Sequence, residues 1–284
     1  MIIAQITDIH LGFEPDNPNE FNRKRLDQTL KVLASMKPAP DLLLATGDLA
    51  DTGDDRVSYE RLKDAVAALP FPVFYAMGNH DGRTAFRSLF PDTRQADGFI
   101  QYAIEEYPLR ILVLDTLAEG RHGGGYCENR AAWLAARLAE QPDRPTLIAL
   151  HHPPLATGLS WMTENPDAPW IARLRGVVSA HGNIVAMICG HLHRQITTSW
   201  AGTRLSVCPS TAPQVALDLD SIDPDRPDGR PMIVADPPGY ALHYWTGAEL
   251  ISHYDTAGEH LVLARYEPAL QPLVQMLVAE KTLD

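Results

Sequence analysis

Seven side chains able to hold a metal ion stand just past the ends of five short apolar runs. Asp8 and His10 follow Ala4-Gln5-Ile6, Asp48 follows Leu42-Leu43-Leu44-Ala45, and Asn79 follows Val73-Phe74-Tyr75-Ala76. His151 follows the run 147–150, and His191 and His193 follow the run 184–188. Imidazole nitrogens, carboxylate oxygens and one amide oxygen, with no cysteine among them, form a mixed donor set. That set suits Mn, Fe, Co or Zn better than Ca or Mg. It also exceeds what one tetrahedral ion needs, so two ions sharing a carboxylate is the economical reading, with Asp48 as the bridge. A single Asp or Asn at such a place is ordinarily a helix cap or turn former. Joint occurrence on five runs points to metal, because gathering carboxylates and imidazoles in a protein interior is costly without a neutralising ion.

Apolar runs of this length, separated by helical patterns, read as buried strands of a wound α/β sheet. Ligands in such sheets sit beyond the carboxyl ends of the strands, where these residues fall. Helices are expected over 22–37, where Leu26, Leu30, Leu33 and Ala34 recur at helical spacing before Pro38 and Pro40, and over 57–69, 83–90, 131–138 and 170–180. Residues 101–115 read as two strands around a turn at Tyr107-Pro108. Residues 200–203 read as a hairpin, and 218–239 are dense in Pro, Asp and Gly. Strands are expected again over 240–245, 249–254 and 261–266, then an apolar helix over 269–278. The expected organisation is therefore a core over 1–194 carrying every metal motif, a loop-rich cap or excursion over 195–239, and C-terminal strands and a helix over 240–284 that complete the core.

At 284 residues and 45% hydrophobic composition, the chain can bury a substantial core. Cys127, Cys189 and Cys208 are odd in number and lack a CxxC spacing, which indicates neither a disulfide framework nor a zinc knuckle. With a first strand beginning at Met1-Ile2-Ile3 and no apolar stretch near the roughly 20 residues of a membrane span, a soluble cytoplasmic protein without a membrane partner is expected. A net charge of -12, with no stripe of Lys or Arg, argues against tracking a long nucleic acid. A small anionic ester is compatible with that charge, because bound metals supply local positive potential.

Asp8-Ile9-His10, Gly47-Asp48, Gly78-Asn79-His80-Asp81, His151 and Gly190-His191-Leu192-His193 together resemble, in full and in order, the signature of the calcineurin-like metallophosphoesterases. Leu150-His151-His152-Pro153-Pro154 and Pro237-Pro238-Gly239-Tyr240 look more narrowly like the bacterial class III cyclic nucleotide phosphodiesterases and their glycerophosphodiesterase relatives. The resemblance implies a four-layer α/β/β/α sandwich with two metals at the strand ends. By position, Asp8, His10, Asp48 and His193 resemble the ligands of one ion, and Asp48, Asn79, His151 and His191 those of the other. The expected reaction is hydrolysis of a small phosphodiester, a 3',5'-cyclic nucleotide or a glycerophosphodiester, by a hydroxide held between the ions.

His80 belongs to neither ligand set and is assigned the protonation of the leaving alkoxide, with Asp81 either orienting it or capping the next helix. His152, beside a ligand on an expected strand, should point away from His151 and either back the ligands or act structurally. His122, His181, His243, His253 and His260 stand without partner motifs and are expected in ordinary core or surface roles. A phosphomonoesterase is the nearer enzymatic rival, but its extra negative charge calls for more Arg or Lys than Arg194 alone. A metal-free scaffold on the same fold would be expected to have lost ligands. The excursion and the apolar C-terminal helix are also the expected contact of a homo-oligomer.

Overall fold

Period-two alternation decides which layer each strand side chain enters, and here it divides the apolar residues between two cores. The structure is a computed structural model describing residues 1–281. Its first half runs β1 (Ile2–Ile6), α1 (Phe21–Ser35), β2 (Leu42–Thr46), α2 (Arg56–Val66), β3 (Val73–Ala76) and α3 (Arg83–Leu89). Next come β4 (Tyr102–Ile104), β5 (Arg110–Val113), α4 (Glu128–Glu140), β6 (Thr146–Ala149), α5 (Pro169–Ser179) and β7 (Ile184–Cys189). The remainder is β8 (Ile196–Trp200), β9 (Thr203–Val207), β10 (Gln214–Val215), β11 (Ile233–Val234), β12 (Gly239–Trp245), β13 (Leu250–Thr256), a 3-10 turn (Pro268–Leu270) and α6 (Gln271–Glu280).

One sheet has the order β13-β12-β1-β2-β3 and the other β4-β5-β6-β7-β9-β8, with β10 and β11 forming a small separate ladder. β1, β2 and β3 are parallel, as are β5, β6, β7 and β9, while β12, β13, β4 and β8 run antiparallel to their neighbours. Ile111, Val113, Leu147, Ala149, Ala186 and Ile188 turn toward the first sheet and share a core with Ile3, Leu42 and Leu44. Their neighbours Leu112, Ile148, Leu150 and Met187 pack instead with Leu134 and Leu138 of α4 and Ile171 and Leu174 of α5. α1 buries Leu26, Leu30 and Leu33 into the first core, so helices lie outside two facing sheets. Burying each such aliphatic side chain stabilises the fold by about 1.5–3 kcal/mol.

The expected helices and strands before residue 194 are present, with ends displaced by a few residues. β8 and β9 continue the second sheet into the segment expected to be loop-rich from residue 195, and they meet at Ala201 and Gly202, both with positive φ. Their turn matches the right-handed twist of a hairpin. Beyond β13 the outcome differs from expectation. Residues 261–266 form no strand, because alternation without a hydrogen-bonding neighbour does not make one. Leu261 and Leu263 stay 86% and 88% exposed. α6 forms, but none of its residues is buried. Among the described residues, no helix is long and apolar enough to cross a membrane.

Candidate metal centre

The parallel ladders bring five strand ends to one place. Beyond β1 and β2 the pairing continues irregularly: the amide of Asp8 donates to the Gly47 carbonyl, and those of Ile9 and His10 donate to the Asp48 carbonyl. Amides of Thr211 and Ala212 donate to the carbonyls of Thr7 and Asp8, laying the segment after β9 across the same end. Asp8, His10, Asp48, His191 and His193 all have φ between 49° and 74°, a left-handed conformation that non-glycine residues rarely adopt. Each such residue costs on the order of 1–3 kcal/mol, and such strain concentrates at functional sites.

Three imidazoles are oriented by oxygens behind them. Nδ1 of His151 donates to the Thr46 carbonyl at 2.8 Å, Nδ1 of His193 to the Pro213 carbonyl at 2.7 Å, and Nδ1 of His10 to Asp51 Oδ1 at 3.1 Å. In the neutral rings this leaves each Nε2 as a lone pair. His151 Nε2 faces Asp48 Oδ2 at 3.3 Å, Asn79 Oδ1 at 3.3 Å and Asp8 Oδ1 at 3.9 Å. His193 Nε2 lies 3.4 Å from Asp8 Oδ1 and 3.2 Å from His10 Nε2. His10 Nε2 in turn lies 3.7 Å from Asp48 Oδ2. Lone pairs and carboxylate oxygens converging this closely need positive charge between them, which is the requirement a metal ion meets. Ligand atoms of Asp8, His10 and His193 lie within 4.8 Å of one another, as do those of Asp8, Asp48 and His151. The donors fit two ions.

The electrostatics carry the same signature. Burial would raise the Asp48 carboxyl, but His151, with His10 and His80, holds it well below the usual carboxylate range. Burial would lower His151, but Asp48 and Asp8 push it up to about 9. His10 is likewise raised against its burial by Asp51, Asp48 and Asp8. His152, His191 and His193 are lowered, chiefly by burial, and stay neutral. Asp48 held ionised beside neutral His191 and His193 is ready to bind metal, while the pull of the carboxylates toward protonated His151 and His10 marks where the cluster calls for positive charge, which a bound ion would supply in the proton's place.

All seven expected ligands are gathered here, and His191 brings its ring to 5.2 Å from that of His151. His80 is at the rim. Its amide donates to Asp48 Oδ1 at 2.8 Å, and its Nδ1 donates to the Asp51 carbonyl at 2.8 Å, leaving Nε2 for the cleft. Asp81 plays neither expected part. Its Oδ1 accepts from the amides of Leu49 and Ala50 and from the Tyr59 hydroxyl, and its Oδ2 from the amide of Gly78. The carboxylate is consumed in tying the β2 and β3 end loops together, and the cap position of α3 falls on Gly82.

His152 packs beside the ligand rings, one of its two expected roles, but it does not point away from His151. β6 ends at Ala149, so strand alternation no longer governs residues 151 and 152. The His152 ring stands 4.8 Å from His151 and 4.7 Å from His191, with Nδ1 on the Thr116 hydroxyl at 2.8 Å. His122, expected to stand alone, lies 4.7 Å from the His191 ring. Asp51, which backs both His10 and His80, drew no attention in the sequence; its place three residues past Asp48 was the available signal.

A profile of the calcineurin-like phosphoesterase family matches residues 1–195. A probable glycerophosphodiester phosphodiesterase, GpdQ, from Arcobacter nitrofigilis is 32% identical over 91% of this chain and 94% of its own length. A probable cyclic nucleotide phosphodiesterase from Rhodopseudomonas palustris is 40% identical over 69% of this chain and 72% of its own. The 3',5'-cyclic adenosine monophosphate phosphodiesterase CpdA of Escherichia coli is 31% identical over 78% and 82%. The fold is shared with a dimetal phosphatase from Danio rerio, TM-score 0.63 at 15% identity, covering 92% of this chain and 98% of that one. The chain belongs to the calcineurin-like phosphoesterase family.

Proposed function

Because the chain is a calcineurin-like phosphoesterase, we propose that it is a dinuclear metal-dependent phosphodiesterase acting on small phosphodiesters, cyclic nucleotides or glycerophosphodiesters. The observation that carries this reading is the set of Nδ1-anchored imidazoles whose Nε2 atoms meet Asp8, Asp48 and Asn79. The names of the relatives supply the substrate classes. Asp8, His10, Asp48 and His193 would hold one ion, and Asp48, Asn79, His151 and His191 the other, with manganese, iron, zinc or cobalt suiting the donors. When bound, such a pair acts as Lewis acid and lowers the pKa of water into the neutral range, supplying nucleophile and charge stabilisation at phosphorus.

The chain's own residues do the rest. Asp51 and the carbonyls of Thr46 and Pro213 fix the ring planes of the ligands before substrate arrives. Asp81 fixes the loops that carry Asp48 and Asn79. His80 delivers a proton from Nε2 to the departing alkoxide, its Nδ1 proton kept on the Asp51 carbonyl. Preference for a diester is supported by Arg194, whose guanidinium is spent on the Val215 carbonyl at 2.6 Å. The three free cysteines support a reducing cytoplasmic compartment. The unburied C-terminal helix supports a homo-oligomer.

The test is hydrolysis of bis(p-nitrophenyl) phosphate beside p-nitrophenyl phosphate, after chelation and after Mn²⁺ is restored. Diester turnover that chelation abolishes and metal restores is expected. Preference for the monoester would move the assignment to a phosphatase, and bound metal without turnover would favour a scaffold.

A further inference from the structure

A cavity of about 560 Å³ opens directly off the metal centre, with His10 and His193 in its wall. Its open part is lined by Phe13, Phe21 and Ile233, 68%, 47% and 52% exposed, and by Glu14, whose carboxylate accepts from Asn17 Nδ2 at 2.6 Å. Leaving large apolar side chains this bare next to a polar site is costly unless a ligand covers them.

The polar groups around the cavity are already engaged. Glu20 accepts from the amides of Gly12 at 2.7 Å and Glu14 at 3.0 Å, Asn22 donates to the His10 carbonyl at 2.9 Å, and Asp51 holds His10. A hydroxyl-rich group placed there would exchange water for few partners. No Lys or Arg lines the cavity to receive a second anion. The guanidinium of Arg25 stands 5.4 Å from the centre of the Phe21 ring and donates to the carbonyls of Thr211, Ala212 and Asp236. It holds that ring in place.

We propose that the groove of Phe13, Phe21 and Ile233 seats a planar, uncharged ring carried by the substrate ester, of the kind a nucleobase provides. This rests on the phosphodiesterase reading and narrows it: cyclic nucleotides are favoured over glycerophosphodiesters. Stacking is tolerant of base identity, so adenine and guanine substrates are both accepted.

The experiment compares the wild type with Phe13→Ala and Phe21→Ala, all metal-loaded with matched metal content. kcat/KM is measured for cyclic AMP and glycerophosphocholine, and calorimetry compares binding of AMP with ribose 5-phosphate. The ratio of kcat/KM for cyclic AMP over glycerophosphocholine is expected to fall about 10- to 100-fold in each variant, mainly through KM. AMP is expected to bind wild type at least about tenfold tighter than ribose 5-phosphate, and to lose that margin in the variants. An unchanged ratio, or a wild type that turns over glycerophosphocholine but not cyclic AMP, overturns the groove while leaving the phosphodiesterase standing. If no diester is hydrolysed, the functional reading fails, and the AMP margin still decides whether the groove takes a ring.

Discussion

His80 and Asp48 are joined by one hydrogen bond at 2.8 Å, yet their substitutions should separate cleanly. Asp48→Ala removes the oxygens proposed to bridge both ions and should lower the metal content at both sites. His80→Ala takes away only an imidazole, since its bond to Asp48 comes from the backbone amide, so metal content should hold while kcat falls about 10²- to 10⁴-fold. Elemental analysis beside steady-state kinetics separates the two, and metal loss in His80→Ala would overturn its role. His243 offers a prediction away from the site. It is buried between Gln5 and Ser252, and burial, with Arg204, lowers it to about 3. The folded state keeps this ring neutral while the unfolded chain protonates it near 6.5, so stability falls as pH drops from about 6.5 toward about 3. Between pH 7 and pH 5 the loss is about 2 kcal/mol, and His243→Asn should flatten that part of a denaturation-against-pH profile. Donor type and spacing made all seven proposed ligands legible in the sequence. The second tier was not, because Asp81 and Asp51 act through backbone amides and carbonyls, and those partners are fixed only when distant loops meet.

At the scale of elements, the site depends on how closely the loops after β2 and β3 approach. A Cβ placed on Gly78 would lie 2.2 Å from Asp48 Oδ1 and 2.3 Å from the Asp48 backbone nitrogen, so Gly78→Ala must separate the β2 and β3 end loops and shift Asp48 with them. Gly176, in the interior of α5, would place its Cβ in open space. Gly78→Ala should therefore cost metal affinity, read by titration of the stripped protein. Gly176→Ala should leave affinity alone and stabilise by about 0.4–1 kcal/mol, read as a small rise in Tm. The strands that carry the ligands were legible because runs such as 42–46 and 184–189 are apolar on both faces, as burial between a facing sheet and a helix layer requires. The run 261–266 carries comparable residues without becoming a strand, because pairing is decided by the neighbour the fold supplies. The left-handed turns at Asp8, Asp48 and His193 were equally hidden, since they arise where strand ends are forced around a shared centre.

At the scale of the molecule, two apolar surfaces lack cover among the described residues. On β12 and β13, paired residues Tyr244 and Ile251 are 45% and 40% exposed. Beyond them, Leu273, Met276, Leu277 and Val278 of α6 are each about half exposed, with none of the helix buried. An apolar helix without a sheet and an apolar sheet margin without a helix, in one chain, are complementary, and a second copy meets both needs by reciprocal docking. We propose that the homo-oligomer is a dimer built through α6 and the margin of β12 and β13. A net charge of -12 on each copy opposes association, so salt should strengthen the dimer by screening that repulsion, while the apolar contact is not weakened by it. Leu273→Asp with Leu277→Asp alters only exposed positions and should leave the fold and the metal centre intact while giving a monomer. Sedimentation equilibrium of wild type and variant at low and high salt reads this directly. A wild type that is monomeric at both salts would show that these surfaces are covered some other way, and a variant that remains dimeric would move the contact elsewhere on the surface.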